Sequence, residues 1–184
     1  MRIVAGRFKG AAIVAPKTQA TRPTSDRLRE TIFNILAHGV ETEVEGARVL
    51  DLFAGSGALG LEALSRGARH CTFIEEGAEA RGVIRRNMEA LGLNGVAKIF
   101  RRDATRLGDA GNIEPFDLLF ADPPYGKGLA DKALQTAGAG GWVKSGSVCV
   151  LEEHAGVDVS LPAGFEELDR RVVGDSQVLF LKVA

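Results

Sequence analysis

Two short runs in this 184-residue chain hold residues whose types and spacing suit chemistry. The first is Asp51-Leu52-Phe53-Ala54-Gly55-Ser56-Gly57-Ala58-Leu59-Gly60, preceded by apolar residues, which is the pattern of a strand, a glycine turn and a helix start. Without a Cβ, Gly55 and Gly57 let the backbone bend sharply and approach a ligand, and the free N–H groups at the helix start face it. The run satisfies the G-x-G-x-x-G fingerprint. Glu75 follows about 20 residues later at the end of the next strand, where a carboxylate can accept both hydroxyls of a ribose. That fingerprint admits either a dinucleotide or S-adenosylmethionine. Asp51 favours the second, because a carboxylate at the strand end suits the cationic amino group of a methionine moiety, whereas a pyrophosphate gains nothing from it. Phe53 belongs to the same turn. Farther on, Arg102-Asp103-Ala104 follows a third apolar run, so Asp103 either meets an adenine amino group, with Ala104 beside it, or caps a following turn.

The second run is Asp122-Pro123-Pro124-Tyr125. Two prolines remove two backbone donors and stiffen the turn, so the loop presents carbonyl acceptors and a carboxylate. An amino group conjugated to an aromatic ring is a poor nucleophile, since its lone pair is delocalised. Held through its two hydrogens by the Asp122 carboxylate and the Pro123 carbonyl, that lone pair can be aimed at a methyl carbon for in-line transfer. Tyr125 offers a face for a flat base, worth roughly 1–3 kcal/mol in comparable stacks. The plain structural alternative is a proline turn with Tyr125 plugging the core. Other chemistries find less support. His38, His70 and His154 share no spacing with a Ser or Cys that would make a triad, and Cys71 and Cys149 sit inside apolar runs with no ligand partner nearby. No metal is expected.

These residues need a scaffold that brings strand ends together. Short apolar runs at 49–53, 71–74, 97–100, 116–121 and 148–151 alternate with helical patterns at 57–65, 78–91 and 129–137. Such alternation implies right-handed crossovers and a parallel sheet with helices on both faces. Two final strands, 166–173 and 177–183, are joined by Gly174-Asp175-Ser176, a connection so short that it forces them antiparallel. At the other end, two apolar stretches around Gly6-Arg7-Phe8-Lys9-Gly10 predict a β-hairpin. Thr24-Ser25-Asp26 then offers N-caps for a helix carrying Leu28, Ile32, Ile35 and Leu36. The expected fold is α/β and Rossmann-like: a mostly parallel seven-stranded sheet with a C-terminal antiparallel hairpin, plus an N-terminal β-hairpin extension. That is the arrangement of class I S-adenosylmethionine methyltransferases, whereas a dinucleotide dehydrogenase needs a second mononucleotide half. A single methyltransferase domain over 1–184 is expected, with 1–22 as the extension and 23–184 as the catalytic core.

Hydrophobic residues make up 45% of the chain, yet no apolar run reaches the roughly 18 residues of a membrane span. A soluble, cytoplasmic monomer is the expectation. The net charge of −1 is no global sign of nucleic-acid binding, but its distribution is uneven. Residues 1–38 carry +5 and the remainder −6, so basic charge gathers at one end.

Between Asp51 and Tyr125 the chain resembles class I methyltransferases with an Asp/Asn-Pro-Pro-Tyr/Phe motif, which act on adenine-N6, cytosine-N4, guanine-N2 or glutamine. The N-terminal stretches Arg2-Ile3-Val4-Ala5-Gly6-Arg7-Phe8-Lys9-Gly10 and Arg22-Pro23-Thr24-Ser25-Asp26-Arg27-Leu28-Arg29-Glu30-Thr31-Ile32-Phe33-Asn34-Ile35-Leu36 are similar to those of the RsmD family. These are bacterial 16S ribosomal RNA guanine-N2 methyltransferases, and with 51–66 and 122–125 the resemblance spans essentially the whole chain. It implies S-adenosyl-L-methionine as cofactor, S-adenosyl-L-homocysteine as product and 16S rRNA, within an assembling small subunit, as partner. It further implies that Asp122, Pro123, Pro124 and Tyr125 hold the guanine, while Asp51, Phe53, Gly55, Gly57, Glu75, Asp103 and Ala104 surround the cofactor. Arg2, Arg7, Lys9, Arg22, Thr24, Arg27 and Arg29 would engage RNA. Two departures from relatives, Ala11 and Ala12 in place of basic residues and Gly77 in place of Asp, are expected to alter RNA affinity and the ribose contact in detail. The remaining alternatives are an amino methyltransferase on adenine-N6 of DNA or on a protein glutamine, and a Rossmann-type oxidoreductase or a cofactor-binding module without catalysis.

Overall fold

Strands that are apolar at successive positions are satisfied only where both faces are covered, and the middle of this molecule is built that way. The computed structural model describes residues 1–17, 25–40 and 42–184. Its elements run α1 (Asp26–His38), β1 (Arg48–Leu52), α2 (Ala58–Ser65), β2 (His70–Ile74), α3 (Ala78–Ala90), β3 (Ala97–Phe100), β4 (Phe116–Ala121), α4 (Leu129–Ala139), β5 (Val143–His154), β6 (Phe165–Val173) and β7 (Ser176–Val183). The seven strands form one sheet in the order β3-β2-β1-β4-β5-β7-β6. The first five are parallel, and β7 enters antiparallel between β5 and β6, as the short turn before it requires. This is the expected α/β fold. The strand order reverses at β1 and β4, and a crevice outside the carboxyl ends of open α/β sheets lies at such a switch point.

Alternate strand residues divide the core. Val49, Phe73, Leu118, Phe120, Val150 and Phe180 pack with Ile32, Phe33 and Leu36 of α1, Leu61 of α2 and Ile84 of α3. Leu50, Leu52, Leu119, Cys149, Leu151 and Leu179 pack with Leu134 of α4 and with Trp142. Phe33 and Phe120 meet with ring centroids 5.5 Å apart, and a truncation of fully buried Phe120 to Ala would cost about 3–5 kcal/mol. Both cysteines are free and buried.

Helix α1 starts where the sequence offers caps, with Ser25 accepting the Leu28 N–H at 3.1 Å. Strand β5 is longer than the expected 148–151, because Glu152, Glu153 and His154 stay paired with β7 although their charges read as a strand end.

The N-terminal segment departs further from expectation. Its arms do run antiparallel, joined at the bridge Arg2↔Ala12 by the Ile3 N–H to Ala11, Ile13 N–H to Met1 and Gly10 N–H to Ile3 bonds at 2.8–2.9 Å, but the ladder is short. The donors that would extend the ladder are taken by α2: Val4 and Ala5 give their N–H groups to Glu62 at 2.9 and 3.1 Å, and Arg7 and Phe8 give theirs to Ser65. Ile3 and Ile13 lie in the main core. The segment is thus bolted onto the α/β unit through α2 and the main core. Asn87 of α3 adds a clasp, accepting from the Val14 N–H and donating to the Val14 and Ser56 carbonyls at 3.0–3.1 Å.

Candidate active site

At the carboxyl edge of the sheet lies a cavity of about 990 Å³, near the upper end of the range for small-molecule sites. The glycine turn after β1, the loop after β2, the loop after β3 and the Asp122–Tyr125 corner after β4 all open onto it. The turn after β1 is tightly wound. Phe53 has φ 55° and Gly55 φ 60°, both in the left-handed region, which costs a bulky side chain such as Phe53 about 1–3 kcal/mol. Strain of that kind persists only where the surroundings enforce it, and here the Ala54 N–H is held by the Ile74 carbonyl at 3.1 Å.

Two carboxylates organise this wall. Asp51 is almost fully buried and accepts the Gly60 N–H at 3.0 Å. Burial pushes its carboxyl up to about 8, with the neighbouring Glu75 charge reinforcing the rise and the Gly60 bond opposing it. At neutral pH Asp51 is therefore mostly protonated, and a cation entering the cavity favours its ionised form. Glu75 bridges two loops: one oxygen accepts the Gly55 N–H and the other the Gly77 N–H, each at 2.8 Å. Each oxygen retains a lone pair for a further donor. An added Cβ at Gly77 would stand 3.2 Å from that second oxygen, so the absence of a side chain there leaves the carboxylate uncrowded.

Asp103 accepts both the N–H and the hydroxyl of Thr105, at 2.9 and 2.7 Å, and these bonds hold its carboxyl below the usual range. It therefore caps the following turn and lines the cavity at the same time, with buried Ala104 beside it. Gly57 does not line the cavity. Its N–H is tied to the Ala54 carbonyl at 2.8 Å, its φ is 82°, and an added Cβ would approach the Phe73 ring to 3.2 Å, so it shapes the turn from behind. Gly60 permits closer packing than Gly57: a Cβ there would lie 2.4 Å from Phe73.

Across the cavity, Pro123 is buried, while Asp122, Pro124 and Tyr125 are half-buried. The Tyr125 hydroxyl donates to Glu152 at 2.9 Å and lies 2.7 Å from the Ser176 hydroxyl, and its ring meets His154 edge-on at 5.5 Å. Tyr125 is thus anchored at its tip while it lines the cavity.

Among the basic residues read as RNA contacts, Arg2, Arg7, Lys9 and Arg27 are exposed. Arg29 is not. It is fully buried, bonded to the Arg2 carbonyl and to Asp26 at 2.7 Å, and stands 3.6 Å from Glu62, because the apolar side of α1 carries it inward. That corrects the expectation for Arg29. Arg22 and Thr24 lie outside the described residues.

Ala15 and Pro16, absent from the sequence-derived site, also form part of the cavity wall. Nothing in their chemistry announces such a role. Asn87 was detectable, since a polar amide on the helix face that also carries Val83, Ile84 and Met88 must find partners inside. Among the described residues no group of His, Cys, Asp and Glu could hold a metal, and no helix is long and apolar enough to cross a membrane.

The family model described as conserved hypothetical protein 95 matches residues 1–182. YlbH of Bacillus subtilis is 43% identical over 138 residues, covering 74% of this chain and 72% of that protein. Ribosomal RNA small subunit methyltransferase D of Escherichia coli K12 is 34% identical over 162 residues, covering 88% and 78% respectively. The solved structure of yhhF from Escherichia coli superposes with a TM-score of 0.82 at 30% identity, over 100% of this chain and 97% of the other.

Proposed function

The chain belongs to the RsmD family, the one described as conserved hypothetical protein 95, and from that premise we propose that it methylates the exocyclic N2 amino group of a guanine in 16S ribosomal RNA, with S-adenosylmethionine as methyl donor. The observation that carries this reading is the shared cavity, into which the glycine turn with Asp51 and Glu75 and the Asp122–Tyr125 corner both open.

The residues fit the donor. Asp51, a buried carboxylate facing the cavity, suits the ammonium of a methionine moiety, and the free lone pairs of Glu75 suit ribose hydroxyls. Asp103 lines the same cavity and is the proposed partner of the adenine amino group, with Phe53 and Ala104 as apolar wall. When bound, the cofactor supplies an electrophilic methyl on a sulfonium. The chain's part is then mostly positioning. Asp122 and the Pro123 carbonyl hold the two N2 hydrogens, which aims the lone pair along the line of transfer, and the face of Tyr125 fixes the plane of the base. Asp122, already bonded to the amino group, would also take the proton that N2 gives up on methylation. A guanine within a stem has to be flipped out to reach this corner.

Exposed Arg2, Arg7, Lys9 and Arg27, with Arg22 and Thr24, are the proposed RNA contacts, and they supply phosphate attraction rather than sequence reading. Shape and ribosomal context would then set the target within an assembling small subunit. A cytoplasmic monomer acting without metal completes the reading. The test is nucleoside mass spectrometry of 16S rRNA from a deletion strain, where one N2-methylguanosine should be lost. An unchanged set would overturn the proposal, and labelled methyl appearing in DNA or protein instead of RNA would redirect it to those substrates.

A further inference from the structure

We propose that Glu152 and Ser176 are positioning residues that set the acceptor corner through the hydroxyl of Tyr125, a role that rests on methyl transfer at Asp122. β4 ends at Ala121, opposite Leu151, so beyond that point β5 projects alone with β7. The chain leaving β4 passes over this projection. There the Tyr125 hydroxyl, the Ser176 hydroxyl and one Glu152 oxygen form a triangle with sides of 2.9, 2.7 and 3.1 Å. The next backbone N–H, of Gly126, donates to Glu153 at 3.2 Å.

Glu152 and Glu153 are 2% and 1% exposed, on a strand whose neighbours Val150 and Leu151 are apolar. An aliphatic side chain would fill that space without the cost of burying a carboxylate, and it would impose no direction on the phenol. The carboxylate does impose one. Prolines stiffen the middle of the corner, the end of β4 fixes its start, and the Tyr125 tip fixes its far end. The ring plane on which the base rests therefore inherits its orientation from β5 and β7, and a misplacement of about 1 Å at a reacting centre is enough to cost about 10²-fold in rate.

The chain has one tyrosine, so the tyrosine Fermi doublet in its Raman spectrum reports Tyr125 alone. In the full-length protein, Tyr125→Phe and Glu152→Ala should each lower kcat for 16S rRNA by about 10²-fold. S-adenosylhomocysteine affinity should stay at the parent value, and the double variant should be no slower than either single one. Ser176→Ala should give a smaller loss, and Glu152→Gln, which keeps an acceptor oxygen, should recover part of the rate. The doublet should show a donating phenol in the parent and a weaker donor in Glu152→Ala. Parent-like kcat in Tyr125→Phe, additive losses in the double variant, or an unchanged doublet would each overturn the inference. Should Glu152→Ala not fold, Tyr125→Phe and Ser176→Ala decide it through kcat, and Glu152→Gln, whose amide oxygen is a weaker acceptor than a carboxylate, supplies the doublet. A parent protein that methylates no RNA would strike the methyl-transfer reading instead, while the doublet still decides the contact.

Discussion

On the β1–β2 side of the cavity, carboxylates are tied to backbone N–H groups close by in the fold: Asp51 to Gly60, Glu75 to Gly55 and Gly77. On the β4 side the ties run between side chains and strands far along the sequence, from Tyr125 to Glu152 and Ser176 and from Gly126 to Glu153. The first wall is a winding of the local backbone that a few glycines and acids suffice to encode. The second is a stiff dipeptide whose aim is borrowed from elsewhere. Under the proposed methyl transfer the two halves should therefore fail differently when perturbed, the Asp122–Tyr125 acceptor half in rate and the Asp51–Glu75 donor half in affinity.

The largest effect is expected from Asp122→Ala, which should lower methyl transfer by about 10³-fold while leaving cofactor affinity at the parent value. Single-turnover transfer combined with calorimetry on S-adenosylhomocysteine checks it, and a parallel loss of affinity would erase the distinction between the walls.

Asp51→Asn tests the donor half through pH. Because burial raises the folded carboxyl from 3.8 to about 8, Asp51 favours folding fully below pH 3.8, and that contribution is lost as pH rises through about 8. Affinity for a cationic ligand should move the opposite way, strengthening in the parent as Asp51 ionises near pH 8 and staying flat in Asp51→Asn. Thermal melts of the ligand-free proteins should show the parent losing stability relative to the variant between those pH values. Equal slopes in both assays would remove Asp51 from the donor site.

Glu75→Gln should have the smallest effect. An amide has one acceptor oxygen where the carboxylate has two, so either the Gly55 or the Gly77 N–H loses its partner, at a cost of about 1–3 kcal/mol. A weakening of S-adenosylhomocysteine binding by tenfold or more, with the rate on saturated enzyme nearly intact, is the expected calorimetric and kinetic outcome.

The order of strands and helices, the antiparallel ending and the meeting of the two motifs were all legible in the sequence, because buried parallel strands write themselves as short apolar runs and glycine and proline mark the turns. The burial and facing of particular residues were not. Gly57, one of the fingerprint glycines, faces away from the cavity, since only the coordinates distinguish a glycine that approaches a ligand from one that avoids Phe73. Arg29 falls on the buried side of α1 and joins Asp26 and Glu62, whereas Arg27 two residues earlier is exposed, a difference set by which side of the helix meets the N-terminal segment. Glu152 and Glu153 look like the polar end of a strand, yet β7 and the Tyr125 loop cover them and turn them into anchors. Periodicity and turn chemistry are local properties and survive in one dimension, so the sequence by itself determined the sheet and the two motifs at its edge. Burial of a charge depends on what arrives from distant parts of the chain, so only the tertiary structure decided which acids and bases serve the cavity and which hold its walls.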